Sequence, residues 1–470
     1  MRIIRTLETH PPLFRIFDRY AEEDMAVFLD SSLQNRLGRF SIVGLYPYLT
    51  LVKGERFTVN GRECGQSFES YVRESLKSHR EANPTSLPIV SGAIGYFSYD
   101  YGRRKEGVGS RHEEGVPIPE CVLCFYDVFL VEDHGTGMLH LIVNGKTGES
   151  GIRMEELLSQ IGEIEEIEEI QEGLVSGTGP SEGPGREVPE RTGAADGFRV
   201  EANFGKEAYL GAVDEVVSHI VEGDVYIMNM TQQLAVYSEK PPYEVFRALR
   251  RDNPSPFGGY FQYGDFQVIS ASPERFLRMK GGHVVTRPIK GTRRRGETEA
   301  EDERLKRELL GSGKDQSELL MIVDLERNDL NRVCVPGSVR VTKLFEVETY
   351  ATVFHLEAEV EGKLEPGRTV MDLIEAAFPG GSITGAPKLR AMELIDELEQ
   401  GRRGLYTGSM GYLTLDGDCD LNIVIRTALH RDGVYSLGVG GGITCESERE
   451  FEYEETLQKA KALLEAIREP

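Results

Sequence analysis

Apolar residues at helical spacing are followed by apolar residues at alternating spacing near the middle of the chain. Tyr209, Val213, Val217 and Ile220 share one face of a helix predicted from Gly205 to Glu222, and Gly223 is placed to end it. Val225 to Tyr237 then alternates as a strand, with Tyr226, Met228, Met230, Leu234 and Val236 on one face. Gln232 falls on that same face, where an amide needs hydrogen bonds from the core or from a ligand. Nearer the N-terminus, SGAIGYFSYDYG and CVLCFYDVFLVEDH are aromatic and β-branched runs bounded by turn residues, and they predict strands. Ile161, Ile164, Ile167 and Ile170 recur every third residue among glutamates, which predicts an amphipathic helix. The stretch that follows, GLVSGTGPSEGPGREVPERTGAADG, cannot bury a core. It divides the chain into an N-terminal lobe (1–172), a flexible linker (173–197) and a C-terminal domain (198–470). The expected class mixes α and β, with much antiparallel sheet.

Polar residues on otherwise apolar elements mark the candidate chemistry. Over Asp418 to Leu429 a predicted strand puts Leu421, Ile423, Ile425, Thr427 and Leu429 on one side and Asp420, Asn422, Val424 and Arg426 on the other. Arg426 either grips a carboxylate through its forked donors or pairs with Asp420 or another strand acid. The last helix has an apolar stripe of Tyr453, Leu457, Ala460, Leu464 and Ile467, with Glu452, Glu455 and Lys459 in a narrow strip beside it. That strip is either a surface pair of Glu455 with Lys459 or two carboxylates for a hard cation and an amine for an anion. Glu318, near the start of the helical run KDQSELLMIV, adds another carboxylate. FPGGSITGAPK, containing Thr384 and Gly385, and VGGGIT, containing Gly440 and Gly442, are glycine-rich turns whose backbone N–H groups can bind an anion.

Lys290 lies in TRPIKGT, after the alternation of Val284, Val285 and Thr286 and just before Gly291, where the strand is expected to end in a turn. Its amine becomes a nucleophile if it is desolvated or crowded by other cations. Arg287, Arg293, Arg294 and Arg295 supply such cations in sequence; a basic loop in water is the alternative.

Composition narrows the partners. At 470 residues the chain exceeds the size at which one core keeps growing, so two lobes are expected. A hydrophobic share of 39% and a charged share of 28% are ordinary for a folded protein. The formal net charge of -24 argues against nucleic acid and anionic membranes, while leaving room for a local basic cluster to take an anionic substrate. The N-terminus has no signal pattern and no run is long enough to span a bilayer. Of the six cysteines, Cys121 and Cys124 form the one CxxC, with no second pair to complete a zinc site. A cytoplasmic protein with reduced cysteines is expected.

Taken together, these runs resemble the chorismate-utilising family: anthranilate synthase component I, aminodeoxychorismate synthase component I, isochorismate synthase and salicylate synthase. The landmarks, in order from about Phe204 to Lys461, are GDVYIMNMTQQ, SASPERFL, TRPIKGT, KDQSELLMIVDLERNDL, VFHLEAEVEG, FPGGSITGAPK, LYTGSMGYL, LNIVIRT, GGGIT and EYEETLQKA. The N-terminal part is similar to the amide-using members through FLDSS, GRFSIVG and GAIGYFSYD. The resemblance implies chorismate as substrate, magnesium as cofactor, and a two-lobed α+β fold with large antiparallel sheets flanked by helices. It also implies roles. Glu318 and Glu455 would bind the metal, with Glu452 behind them or linked through water. Arg426, Tyr406, Lys459 and the N–H groups near Gly442 would hold substrate carboxylates. Glu274 of SASPERF matches a general acid acting on the C4 hydroxyl, and His355 of VFHLE matches an active-site histidine. Gln232 matches the position where isochorismate enzymes carry a water-activating lysine.

Within the family, PIKGT, NMTQ and FPGGSITGAPK resemble the aminodeoxychorismate synthase branch, whereas anthranilate synthases usually read PIAGT. That branch implies a covalent intermediate on Lys290, ammonia from a separate glutamine amidotransferase subunit, and a product that leads to 4-aminobenzoate and folate. Anthranilate synthase component I is the alternative. Leu29-Asp30-Ser31 resembles one wall of the family's tryptophan pocket, and Asn253-Pro254-Ser255-Pro256 the other.

Overall fold

The computed structural model describes residues 1–113, 115–176, 198–349 and 353–468, with backbone alone over 165–176. Its strand ladders are antiparallel and join into one hydrogen-bonded network, with helices packed against it. Phe40–Lys53 and Cys121–Asp133 pair from Phe40 opposite Asp133 to Lys53 opposite Cys121. Cys121–Asp133 is buried along nearly its whole length, as its unbroken apolar run requires. Two ladders tie the early strands to the late ones: Val27–Asp30 pairs with Phe257–Tyr263, and Gly92–Phe97 pairs with Ser409–Thr414. One apolar cluster likewise unites Leu13 and Phe17 near the N-terminus with Phe246 and with Ala460, Leu463 and Ile467 near the C-terminus. No helix among the described residues is long and apolar enough to cross a membrane.

The helix Lys206–Glu222 ends at Gly223, whose φ of 87° gives the left-handed cap that its sequence predicted. The strand after it begins at Ile227, and Tyr226 is 65% exposed rather than part of the buried face. Ser150–Ser176 is helical and buries Ile161, with Ile164 packed beside it. The side chains of Ile167 and Ile170 lie outside the described residues, as does the predicted linker from 177 to 197; its first residues, 173–176, continue the helix.

Three predicted elements are corrected. The strand over Asp418 to Leu429 is two strands, Cys419–Asn422 and Thr427–Arg431. The first pairs with Arg275–Lys280 and Ser409–Thr414, the second with Phe266–Ser272 and Val434–Ile443, so the chain steps sideways between neighbours. Arg426, at φ 48°, makes the step. Lys290 is not at a strand end: it lies inside Ile289–Arg294, where Gly291 at φ 73° sits at a shift in register. In the last helix, Arg449–Arg468, the buried face is Glu452, Thr456, Ala460, Leu463 and Ile467, while Leu457 is exposed. That rotation turns Glu452 inward.

Candidate active site

The strand Val434–Ile443 pairs with Ile227–Tyr237 over its full length, but with Thr427–Arg431 only as far as Leu437. The sideways step at Arg426 withdraws the second neighbour, and a cavity of about 370 Å³ opens where Val439 to Gly442 lose it. The glycines let charged side chains close on the strand from both faces. A Cβ on Gly441 would stand 2.6 Å from Glu455 Oε2 and 3.3 Å from Glu452 Oε2, and one on Gly442 would stand 3.5 Å from Lys290 Nζ and 3.6 Å from Glu318 Oε2.

Lys290 donates through Nζ to the Ser382 carbonyl at 3.2 Å. Its charged neighbours are carboxylates. Burial raises the pKa of both Glu274 and Glu318, and in each the positive charge of Lys290 opposes that rise more strongly than any other group. Each arginine predicted to crowd Lys290 has acids of its own. Arg287 faces Glu357 and Glu359 at 3.0 and 3.4 Å, Arg293 faces Glu308 and Asp315 at 3.0 and 3.3 Å, Arg294 pairs with Glu301, and Arg295 with Asp302.

Lys314 joins the acids of two helices, lying 3.3 Å from Glu452 Oε1 and 3.9 Å from Glu318 Oε1. Burial alone would lower its pKa, but Glu452 and then Glu318 outweigh that and raise it. Lys459 lies 3.0 Å from Glu455 and donates to the Gly440 carbonyl at 2.8 Å. This i,i+4 pair is thus on the cavity wall, not on an open surface.

Arg426 lines the cavity and has no ion pair among the described residues; desolvation lowers its pKa. The alternative pairing with Asp420 does not occur, because Asp420 takes Arg275 through two bonds of 2.8 and 2.9 Å. His355 is buried, not exposed on its strand. Its Nδ1 lies 2.9 Å from Thr292 Oγ1, and burial, helped by the Arg426 charge, lowers its pKa to about 4, so the ring is neutral at pH 7. Tyr406 is buried on the same wall, and burial raises its phenol well above the usual value.

Three predicted site residues do not line this cavity. Gln232 turns its amide away and donates to Thr456 Oγ1 at 2.6 Å, so it is a core glutamine satisfied by the last helix. Thr384 donates its hydroxyl to the Gly380 carbonyl at 2.9 Å, and Gly385 is held in a short ladder opposite Met228; Ser382 and Ile383 take their place on the wall. Sequence reasoning also missed Asn229, which lines the cavity. Asn229 lies on the face of its strand opposite the apolar one, which sequence reasoning left unread. Asn229 and Thr231 are buried, because the strand is covered on both sides.

Asp30 and Ser31 line a different cavity, of about 280 Å³, together with Pro256. Pro254 and Ser255 do not line it; the Ser255 carbonyl instead accepts from the Ser32 hydroxyl. Asp30 is held by Arg250 at 2.8 Å, yet burial still raises its pKa.

Comparison with known proteins agrees with this architecture. The model of the chorismate binding enzyme family matches residues 31–465. Anthranilate synthase component 1 of Thermus thermophilus is 38% identical over 446 residues, covering 94% of this chain and 92% of its own. Aminodeoxychorismate synthase component 1 of Bacillus subtilis is 36% identical over 450 residues, covering 94% and 91%. The crystal structure of anthranilate synthase component I from Streptococcus pneumoniae superposes with a TM-score of 0.76 at 30% identity, covering 92% of this chain and 93% of its own. Matched over nearly its whole length, the chain belongs to the chorismate binding enzyme family.

Proposed function

We propose that the protein is the synthase component that converts chorismate and ammonia to 4-amino-4-deoxychorismate, through a covalent bond to Lys290. The observation that carries this reading is the position of the Lys290 amine, in the cavity beside two buried carboxylates and bonded to the Ser382 carbonyl. The Ser382 hydroxyl also interacts with Glu274, so acid and amine meet at one residue. Burial raises the pKa of Glu274, which favours the protonated acid that the chemistry needs.

The amine adds at C2, both ring double bonds shift, and the C4 hydroxyl leaves as water with the proton of Glu274. Ammonia then forms the C4–N bond, the double bonds return, the C2–Nζ bond breaks to restore the lysine, and the new C4 ammonium gives its extra proton back to Glu274. One difficult displacement becomes two easier ones. Arg426, with no acid of its own among the described residues, suits a substrate carboxylate, and neutral His355 adds no competing charge.

Glu318, Glu452 and Glu455 are hard oxygen donors of the kind that suit magnesium. The metal site that sequence alone implies is not a tight cage: among the described residues, the compact set of possible ligands is His219, Glu222 and Asp224, away from this cavity. Magnesium commonly takes one or two carboxylates plus substrate oxygens and water, which fits acids spread along one wall. When bound, it would supply positive charge for a substrate carboxylate. A glutamine amidotransferase subunit is the proposed source of ammonia, in keeping with relatives named as a component 1.

A second reading, amination at C2 to give anthranilate, is favoured by the relatives that carry that name. Incubation with chorismate, magnesium and ammonium, followed by mass analysis, separates the two. The proposal expects an aminated product that keeps its enolpyruvyl group; fluorescent anthranilate formed without any added lyase rejects it.

A further inference from the structure

Asn229 is a polar group of the cavity whose side chain no other described residue uses. The residue is 9% exposed, its Oδ1 is buried without a partner, and its carboxamide makes no hydrogen bond among the described residues. A buried amide left in this way is costly unless a ligand completes it. Its backbone, by contrast, is held firmly. The Asn229 N–H donates to the Thr384 carbonyl at 2.8 Å, and its carbonyl accepts from Arg403 Nη2 at 2.7 Å.

Register shows which side of the cavity it serves. Asn229 lies directly opposite Gly442 in the ladder, and residues opposite one another in antiparallel strands project to the same face. On the face where Gly442 has no side chain lies Lys290 Nζ. Glu455, Glu452 and Lys459 approach Gly441, on the other face. The amide therefore stands with the reacting amine, apart from Lys459.

We propose that the Asn229 carboxamide binds the nitrogen nucleophile, accepting an N–H of neutral ammonia on the Lys290 side of the cavity. The inference rests on the amination reading above. A neutral amide contributes little toward offsetting a substrate carboxylate, a task for which Arg426 is suited. It does match ammonia, which has three N–H donors and one lone pair. An acceptor that takes one N–H leaves the lone pair free to reach carbon. A carboxylate at this position would instead favour ammonium, which has no lone pair to give.

Steady-state kinetics with chorismate, magnesium chloride and ammonium chloride test this in Asn229→Leu, which is close in size, and in Asn229→Ala. Loss of one hydrogen bond is expected to raise the KM for ammonia about tenfold in both, with the KM for chorismate changed less than about twofold. Because the amide has no partner among the described residues, Asn229→Leu is also expected to keep or raise the melting temperature. An unchanged ammonia KM in both variants, an equal rise in the chorismate KM, or a fall in the melting temperature of both overturns the role. A wild-type protein that forms no aminated product under these conditions sinks the amination reading itself. Wild-type amination with unaltered variants sinks only Asn229.

Discussion

Lys290 reaches the cavity across Gly442: its Nζ lies 3.5 Å from where a Cβ on that glycine would stand. A methyl group is tolerated at that distance, and a longer side chain takes the space of the amine. The Lys290 amine is thus given its room by a residue some 150 positions away in sequence, through the absence of a side chain.

Lys290→Ala is expected to abolish amination at C4 while chorismate still binds, because Arg426 and Lys459 remain. Product mass and equilibrium binding of chorismate read the two halves separately. Unchanged turnover removes the covalent step from the mechanism.

Glu274→Gln is expected to lower kcat by about 10²–10⁴-fold, the usual contribution of a general acid. Burial raises the Glu274 pKa, so its proton persists to higher pH than in an ordinary glutamate and is lost as pH rises through the folded value. The pH–rate profile of the wild type should fall on that side, and the variant should lack this limb. An identical limb in the variant assigns the proton to another group.

Arg426→Ala should raise the KM for chorismate about 10- to 100-fold, the worth of a hydrogen bond to a charged group. No loss of thermal stability is expected, since no ion pair is broken among the described residues. A lower melting temperature with unchanged KM would mean that the guanidinium serves the fold.

The His355 pKa falls from 6.5 unfolded to about 4 folded, so between those values the unfolded chain binds the extra proton. Its contribution is fully present above pH 6.5 and is lost as pH drops toward 4. The shift corresponds to about 3 kcal/mol at most. Denaturant titrations at several pH values should show His355→Gln losing less stability over that window than the wild type. Parallel curves contradict the burial argument.

Glu455→Gln should raise the magnesium concentration needed for half-maximal activity. A metal titration curve matching that of the wild type counts against a ligand role for this residue.

Much of the site was legible because its residues break local rules. Glu318 and Glu452 are acids on faces that prove to be buried, and Arg426 is a charge in a largely apolar run. The FPGGSITGAPK turn was located correctly, but the wrong residues were chosen within it: Ser382 and Ile383 face the cavity, whereas the Thr384 hydroxyl is spent on Gly380. Gln232 and Asn229 show the limit of alternation. A period of two separates the faces of a strand without saying which is covered, and here both are.

Hydrophobic periodicity and residue chemistry by themselves determined the mixed α and β class, the Gly223 cap and most of the charged residues that reach the pocket. These depend on side-chain identity and on neighbours within a few positions. Only the tertiary structure decided that the arginines near Lys290 are paired with acids, that Arg426 is not paired among the described residues, and that Glu452 turns inward. Charge pairing and burial are set by which distant strands and helices come to lie together, and local sequence does not carry that information.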